Sequence, residues 1–185
     1  MRVKVEKITD WDLVYKTALY TQGKTPKKQF PSEEWKRKTV KAKHSPLRAL
    51  KFLVYIEDVP NFVHNHLVRH IFAQPYIRTM REDLTGILSS EITRLTPNNG
   101  LYEINAEEII NISNARSCSK ASKETKQAWT KVISEINKIE PLLAMMCVPN
   151  CVKLGYCPEY KSCGFSFKND RQKYLKFLGV NTEEI

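Results

Sequence analysis

With 185 residues, 42% of them hydrophobic and 10% aromatic, the chain has the material for one buried core and not for two large ones. Thirty basic against 20 acidic residues give a net charge of +10, and no apolar run is long enough to span a membrane. Met1 to Lys7 carries charge without an apolar stretch behind it, so no secretory signal is read there. The expectation is a single cytoplasmic domain over 1–185, with disorder, membrane insertion and export excluded. Ten basic residues fall between Lys24 and Lys51, against only Glu33 and Glu34. Such a stripe suits a phosphorylated small molecule or a nucleic acid, unless it is simply a solvated surface.

Asp10 is placed to cap a first helix, in which Leu13, Val14, Tyr15, Ala18 and Leu19 keep a helical period up to Gly23. After a Lys/Pro turn, Ser32-Glu33-Glu34 opens a second helix with Trp35 and Val40. Ser45-Pro46 reads as a cap followed by proline at the first helical position. From Leu50 to Ile56, Leu50, Phe52, Val54 and Ile56 alternate with Lys51, Leu53 and Tyr55, a strand with one wholly apolar face. Pro60 opens a short helix over 61–70, and a polar stretch with Arg78, Thr79 and Arg81 follows. Leu101 to Ile104 is a brief strand. Asn105-Ala-Glu-Glu108 has capping-box spacing and opens a helix with Ile109, Ile110 and Ile112. The longest helix spans 121–139, with Ala128, Trp129, Val132, Ile133 and Ile136 facing inward until Pro141 interrupts it. A last helix runs from Asp170 to Leu178 and stops at Gly179. Helices outnumber strands, and the class is α+β.

Three groups of residues could carry chemistry. His66 and His70 have the i,i+4 spacing of a zinc pair, but no third ligand is evident nearby and Arg69 would oppose a cation. Arg69, His70, Arg78, Thr79 and Arg81 could present forked donors and a hydroxyl to a phosphate. Asn105, Glu107, Asn111, Asn114 and Arg116 place amides among isoleucines, where asparagine has poor helix propensity and a polar side chain needs a partner.

Taken in order, these residues resemble the flavin-dependent thymidylate synthases, the ThyX family. That family's hallmark is Arg-His-Arg, seven residues, then Ser; here Arg69-His70-Ile71 is followed after seven residues by Thr79, with Arg81 two further on. A later block begins Asn105-Ala106, continues to Asn111 and Arg116, and reaches the acidic Glu124. The resemblance covers about Lys43 to Glu124, with the middle shortened, and is that of a short, diverged branch of the kind found in phage-like genomes. It implies a ThyX-like α+β fold, with helices packed on a small antiparallel sheet, and a homotetramer. It also implies FAD held by Lys43, Arg69, His70, Asn105 and Asn111. The nucleotide dUMP, or a related pyrimidine nucleotide, would be held by His66, Thr79, Arg81, Arg94 and Arg116. Arg116 would be the catalytic residue, offsetting negative charge on the pyrimidine. The implied reaction is reductive methylation of dUMP to dTMP with methylenetetrahydrofolate and NADPH. Ile71 and Glu107 depart from the family pattern, each standing where the family has an arginine.

Cys147, Cys151, Cys157 and Cys163 crowd the C-terminal segment 147–163, outside the resemblance. They are read either as four ligands to a tetrahedral zinc or as buried reduced thiols, because paired Cys-x-x-Cys knuckles are missing. Cys118 is read as a small buried thiol. Two rival functions stand beside the synthase: a pyrimidine-nucleotide hydroxymethylase, and a basic nucleic-acid-binding module with a zinc-bound tail. Nucleic-acid binding is the less expected of the two.

Overall fold

The computed structural model describes residues 1–25 and 30–180. Part of the Lys/Pro turn, and Lys27 and Lys28 of the basic stripe, lie outside the described residues. Strand β1 (Arg2–Lys7) is followed by helices α1 (Trp11–Tyr20) and α2 (Glu33–Ala42), a 3₁₀ turn (Ser45–Ala49), strand β2 (Lys51–Pro60) and helix α3 (Asn61–Leu67). Next come β3 (Ala73–Ile77), the single-turn α4 (Glu82–Thr85), a second 3₁₀ turn (Ser89–Glu91), β4 (Pro97–Asn105) and α5 (Ala106–Arg116). The chain continues through α6 (Lys123–Ile139), α7 (Pro141–Ala144), α8 (Asn150–Leu154) and α9 (Lys168–Leu178).

The four strands form one antiparallel sheet in the order β1-β2-β4-β3. Register puts Val3 and Val5 opposite Ile56 and Val54, and Phe52 and Val54 opposite Ile104 and Tyr102. The period of two therefore gathers one apolar face across the sheet. Phe52, Val54 and Ile56 are fully buried there, and α6 packs over β1 and β2. The inward stripe of α6 is Thr125, Ala128, Trp129, Val132 and Ile136, with Ile133 half-buried beside it. Trp129 donates its indole N–H to Ser113 Oγ at 2.9 Å, which joins α6 to α5 inside the core. No helix among the described residues is long and apolar enough to cross a membrane.

The α+β class with a small antiparallel sheet is as expected, and the differences from the sequence reading are local. β1 and β3 were not anticipated. Ser45-Pro46 opens a 3₁₀ turn rather than an α-helix. The helix expected to reach His70 closes at Leu67, so Arg69 and His70 lie in the turn beyond it. His66 and His70 therefore do not share a helix face, and the zinc-pair geometry does not form.

Candidate functional site

The site is built where α2 ends, α3 turns over, α5 runs and α6 begins. Lys51 pairs with Asn105 in the sheet, and the Ala106 N–H donates to the Leu50 carbonyl at 2.8 Å, so the sheet fixes where α5 starts. Asn105 caps that helix by accepting the Glu108 N–H at 2.9 Å. Only half of the capping box forms, because Glu108 turns its carboxylate into the protein, where it is 5% exposed. That frees Glu108 for the site.

A continuous polar line results. Lys43 Nζ donates to Asn111 Oδ1 at 2.8 Å, and Asn111 Nδ2 donates to Glu108 Oε2 at 3.1 Å. The other carboxylate oxygen, Glu108 Oε1, faces His70 Nδ1 at 3.6 Å. On the far side of the ring, His70 Nε2 accepts from Arg116 Nε at 3.1 Å, while Arg116 Nη2 donates to the His66 carbonyl at 2.7 Å. An arginine donor at Nε2 leaves the proton of a neutral imidazole on Nδ1, directed at Glu108. Burial, and then the charge of Arg116, push His70 down to about 4, so the ring is neutral near pH 7. Arg116 is itself lowered by burial and by Arg69, and Lys43 by burial and by Lys153.

His66 forms a second branch. Its Nδ1 meets Thr125 Oγ1 at 2.9 Å, and that hydroxyl accepts from Ser122 Oγ at 2.8 Å. With Ser122 donating to it, Thr125 is free to give its one proton to His66 Nδ1, and in that tautomer the ring keeps Nε2–H available to a ligand. Burial and the charges of Arg116, Arg69 and Arg94 hold this ring neutral too. Arg94 lies over the Phe62 ring at 4.9 Å, and Phe62 meets His66 edge-on at 5.5 Å, so these side chains form one layered group. Among the described residues, neither Arg69 nor Arg94 has a carboxylate within ion-pair reach.

The structure thus joins Lys43, His66, His70, Asn111 and Arg116 directly, with Asn105 at the cap and Arg69 and Arg94 at the rim. Thr79 and Arg81 are not joined to them. Arg81 forms a forked pair with Asp83 at 3.0 and 2.6 Å, and Thr79 Oγ1 accepts the Arg81 N–H, all on an exposed loop. Glu107, in place of a family arginine, is ion-paired with Arg48 from the 3₁₀ turn, and Ile71 is 84% exposed. Glu108 and Thr125 were missed as site residues. The first was read only as the acidic residue of a capping box, and nothing in the sequence singled out the second. A cavity of about 760 Å³ between α8 and α9 contains none of these residues.

The tail thiols are not gathered as ligands of one metal. Among the described residues no three His, Cys, Asp or Glu side chains assemble as a metal requires. Cys147 faces the core instead, its thiol donating to the Leu143 carbonyl at 3.4 Å and pushed up to about 12 by burial. Cys118, expected to be buried, is half-exposed.

No family model matches the chain, and no curated protein matches its sequence. Solved structures do match in shape. Two from Helicobacter pylori, each described as ThyX, with FAD and dUMP, superpose with TM-scores of 0.65 and 0.64. Each is 15% identical; the alignments cover 80% of this chain and 100% and 99% of those chains. At this identity the likeness is one of fold.

Proposed function

We propose that the site binds a flavin dinucleotide beside a pyrimidine nucleoside monophosphate and that the chain is a flavin-dependent thymidylate synthase, methylating dUMP to dTMP. The observation that carries this reading is the line from Lys43 through Asn111, Glu108 and His70 to Arg116, set in a fold shared with solved ThyX structures. Methylenetetrahydrofolate is the one-carbon donor, NADPH the reductant, and a homotetramer the working form in this reading.

The donor set fits an anionic dinucleotide. Lys43, Arg69 and Arg94 supply positive charge at the rim, and Asn105 keeps its amide N–H₂ while its oxygen caps α5. The missing cation at Ile71 is a local loss. At Glu107 the pairing with Arg48 removes the negative charge that would otherwise repel a phosphate. When bound, reduced flavin supplies hydride. The chain's own contribution is positioning and electrostatics. Arg116, anchored through Nε and Nη2, has its Nη1 hydrogens left for the pyrimidine and offsets charge developing there. A neutral His70 holds that guanidinium without adding competing charge. His66 offers Nε2–H to the nucleotide. Thr79 and Arg81 reach its phosphate in this reading, which requires Arg81 to leave Asp83. That pair is exposed and worth under about 1 kcal/mol, so a phosphate can displace it.

The test is flavin uptake. Purified protein equilibrated with FAD should retain about one flavin per chain, with the absorption band perturbed on adding dUMP. Protein that remains colourless after saturation with FAD would overturn the proposal.

A further inference from the structure

Three of the five cysteines line one small pocket of about 170 Å³, although the sequence spreads them widely. Cys118 comes from the loop after α5, Cys151 from α8, and Cys163 from the extended tail before α9. Lys126 lines the same pocket and sends its ammonium to Ser119 Oγ at 3.3 Å. Ser117 Oγ, also on the pocket wall, is buried without a hydrogen-bond partner among the described residues. Packing alone does not call for polar groups and thiols together in a cavity; a thiol buried for packing is that of Cys147, deep in the core.

We propose that Cys163 and Cys118 form a peroxide-reactive dithiol site that closes to an intramolecular disulfide. Cys163 is the exposed member and the one hydroperoxides can reach. Its thiol is held below the ordinary range, first by the Phe165 backbone N–H, which burial opposes, and then by the Ser119 hydroxyl and Lys120. Its thiolate fraction at neutral pH, and with it its reactivity, is raised accordingly. Cys118 neighbours that same Ser119 in the chain, and its Sγ accepts the Lys120 N–H at 3.5 Å. Cys151 is the poorer partner because burial raises its thiol.

The chemistry balances with hydrogen peroxide as oxidant. The Cys163 thiolate attacks a peroxide oxygen, the O–O bond breaks, and hydroxide leaves to take up a proton as water. The resulting sulfenic acid is attacked by the Cys118 sulfur; the S–O bond breaks, the S–S bond forms, and a second water leaves. Two thiols lose two electrons in total and the peroxide gains them. The bond would tie the tail to a loop beginning one residue beyond Arg116, the end of α5. This assignment does not rest on the flavin reading and is tested without flavin.

The experiment treats reduced, desalted full-length protein with hydrogen peroxide at neutral pH, digests it without reductant and maps linked peptides by mass spectrometry. A Cys118–Cys163 linkage is expected. Cys163→Ser should abolish it and leave Cys118 a thiol, while Cys118→Ser should leave a sulfenic acid on Cys163 that dimedone traps. In the unoxidised protein Cys163 should react with iodoacetamide roughly tenfold faster than Cys157. Linkage of Cys151 to Cys157, links only between chains, or equal reactivity of Cys163 and Cys157 would overturn it.

Discussion

Lowering the pH from 7 to 5 should destabilise the ligand-free protein through His70, by an amount that follows from its surroundings. The ring is 16% exposed, faces Glu108 on one side and accepts from Arg116 on the other. Burial and Arg116 depress it from 6.5 to about 4. For a depressed group the stabilisation is present above the unfolded value of 6.5 and is lost as pH falls toward the folded value of about 4. The unfolded chain takes up a proton in that window and the folded chain does not. At about 1.4 kcal/mol per pH unit the ceiling is roughly 3 kcal/mol, and near pH 5 the loss is ~2 kcal/mol before modest trimming by solvent screening. Urea denaturation at the two pH values, compared with His70→Asn, isolates the contribution, since His64, His66 and the carboxylates titrate in both proteins. The parent's midpoint should fall by roughly 1 M more than the variant's, given a slope of about 1–3 kcal/mol/M. If both proteins lost the same stability, or if the His70 ring titrated near 6.5 in the folded parent by NMR, the tautomer and charge argument for the site would be wrong.

Two further outcomes follow from other contacts. A Cβ at Gly100 would sit 2.7 Å from the His64 ring and 2.8 Å from Ile77 Cδ1. His64 cannot retreat, because its Nδ1 meets the buried Tyr102 hydroxyl at 2.7 Å and its Nε2 the Asn98 carbonyl at 3.2 Å. Gly100→Ala should therefore cost about 1–3 kcal/mol in thermal or urea unfolding, and unchanged stability would show that the β4–α3 contact is looser than described. Arg81→Ala should leave stability within about 0.5 kcal/mol, because Arg81 and Asp83 are 70% and 58% exposed. Calorimetry on the flavin-loaded variant should show dUMP affinity reduced roughly ten- to a hundredfold, and parental affinity would remove Arg81 from the nucleotide site.

The elements legible in the sequence were those with a cap and a period. Asp10, Ser32 and Asn105 cap α1, α2 and α5 with their side chains, and the alternation of β2 turned its apolar residues inward. β1 was hidden because only Val3 and Val5 alternate with charges, and its pairing with β2 is made across some fifty residues of chain. β3 was hidden by Pro75, which argues against a central strand; β3 is an edge strand, where proline is tolerated. At the site, residue types were readable from two ordered blocks, but their connections were not. Nothing local distinguishes Glu108 as a cap partner from Glu108 as the carboxylate between Asn111 and His70. Short spacing left the tail cysteines open between shared ligation and buried thiols, and it could not show that packing sends Cys147 inward and draws Cys118, distant in sequence, toward Cys151 and Cys163.

Lys43 closes α2 in the left-handed region, at φ 46° and ψ 42°, a place where glycine is comfortable and a lysine costs roughly 1–2 kcal/mol. Its ammonium is also half-withdrawn from water, with an amide oxygen rather than a carboxylate as its hydrogen-bond partner. Both features oppose folding, and both place a cation beside Asn111. Thermal selection applied to this chain would therefore favour glycine or asparagine at that corner and erode the cation in the same step, so robustness and the proposed cofactor contact pull in opposite directions at a single backbone position.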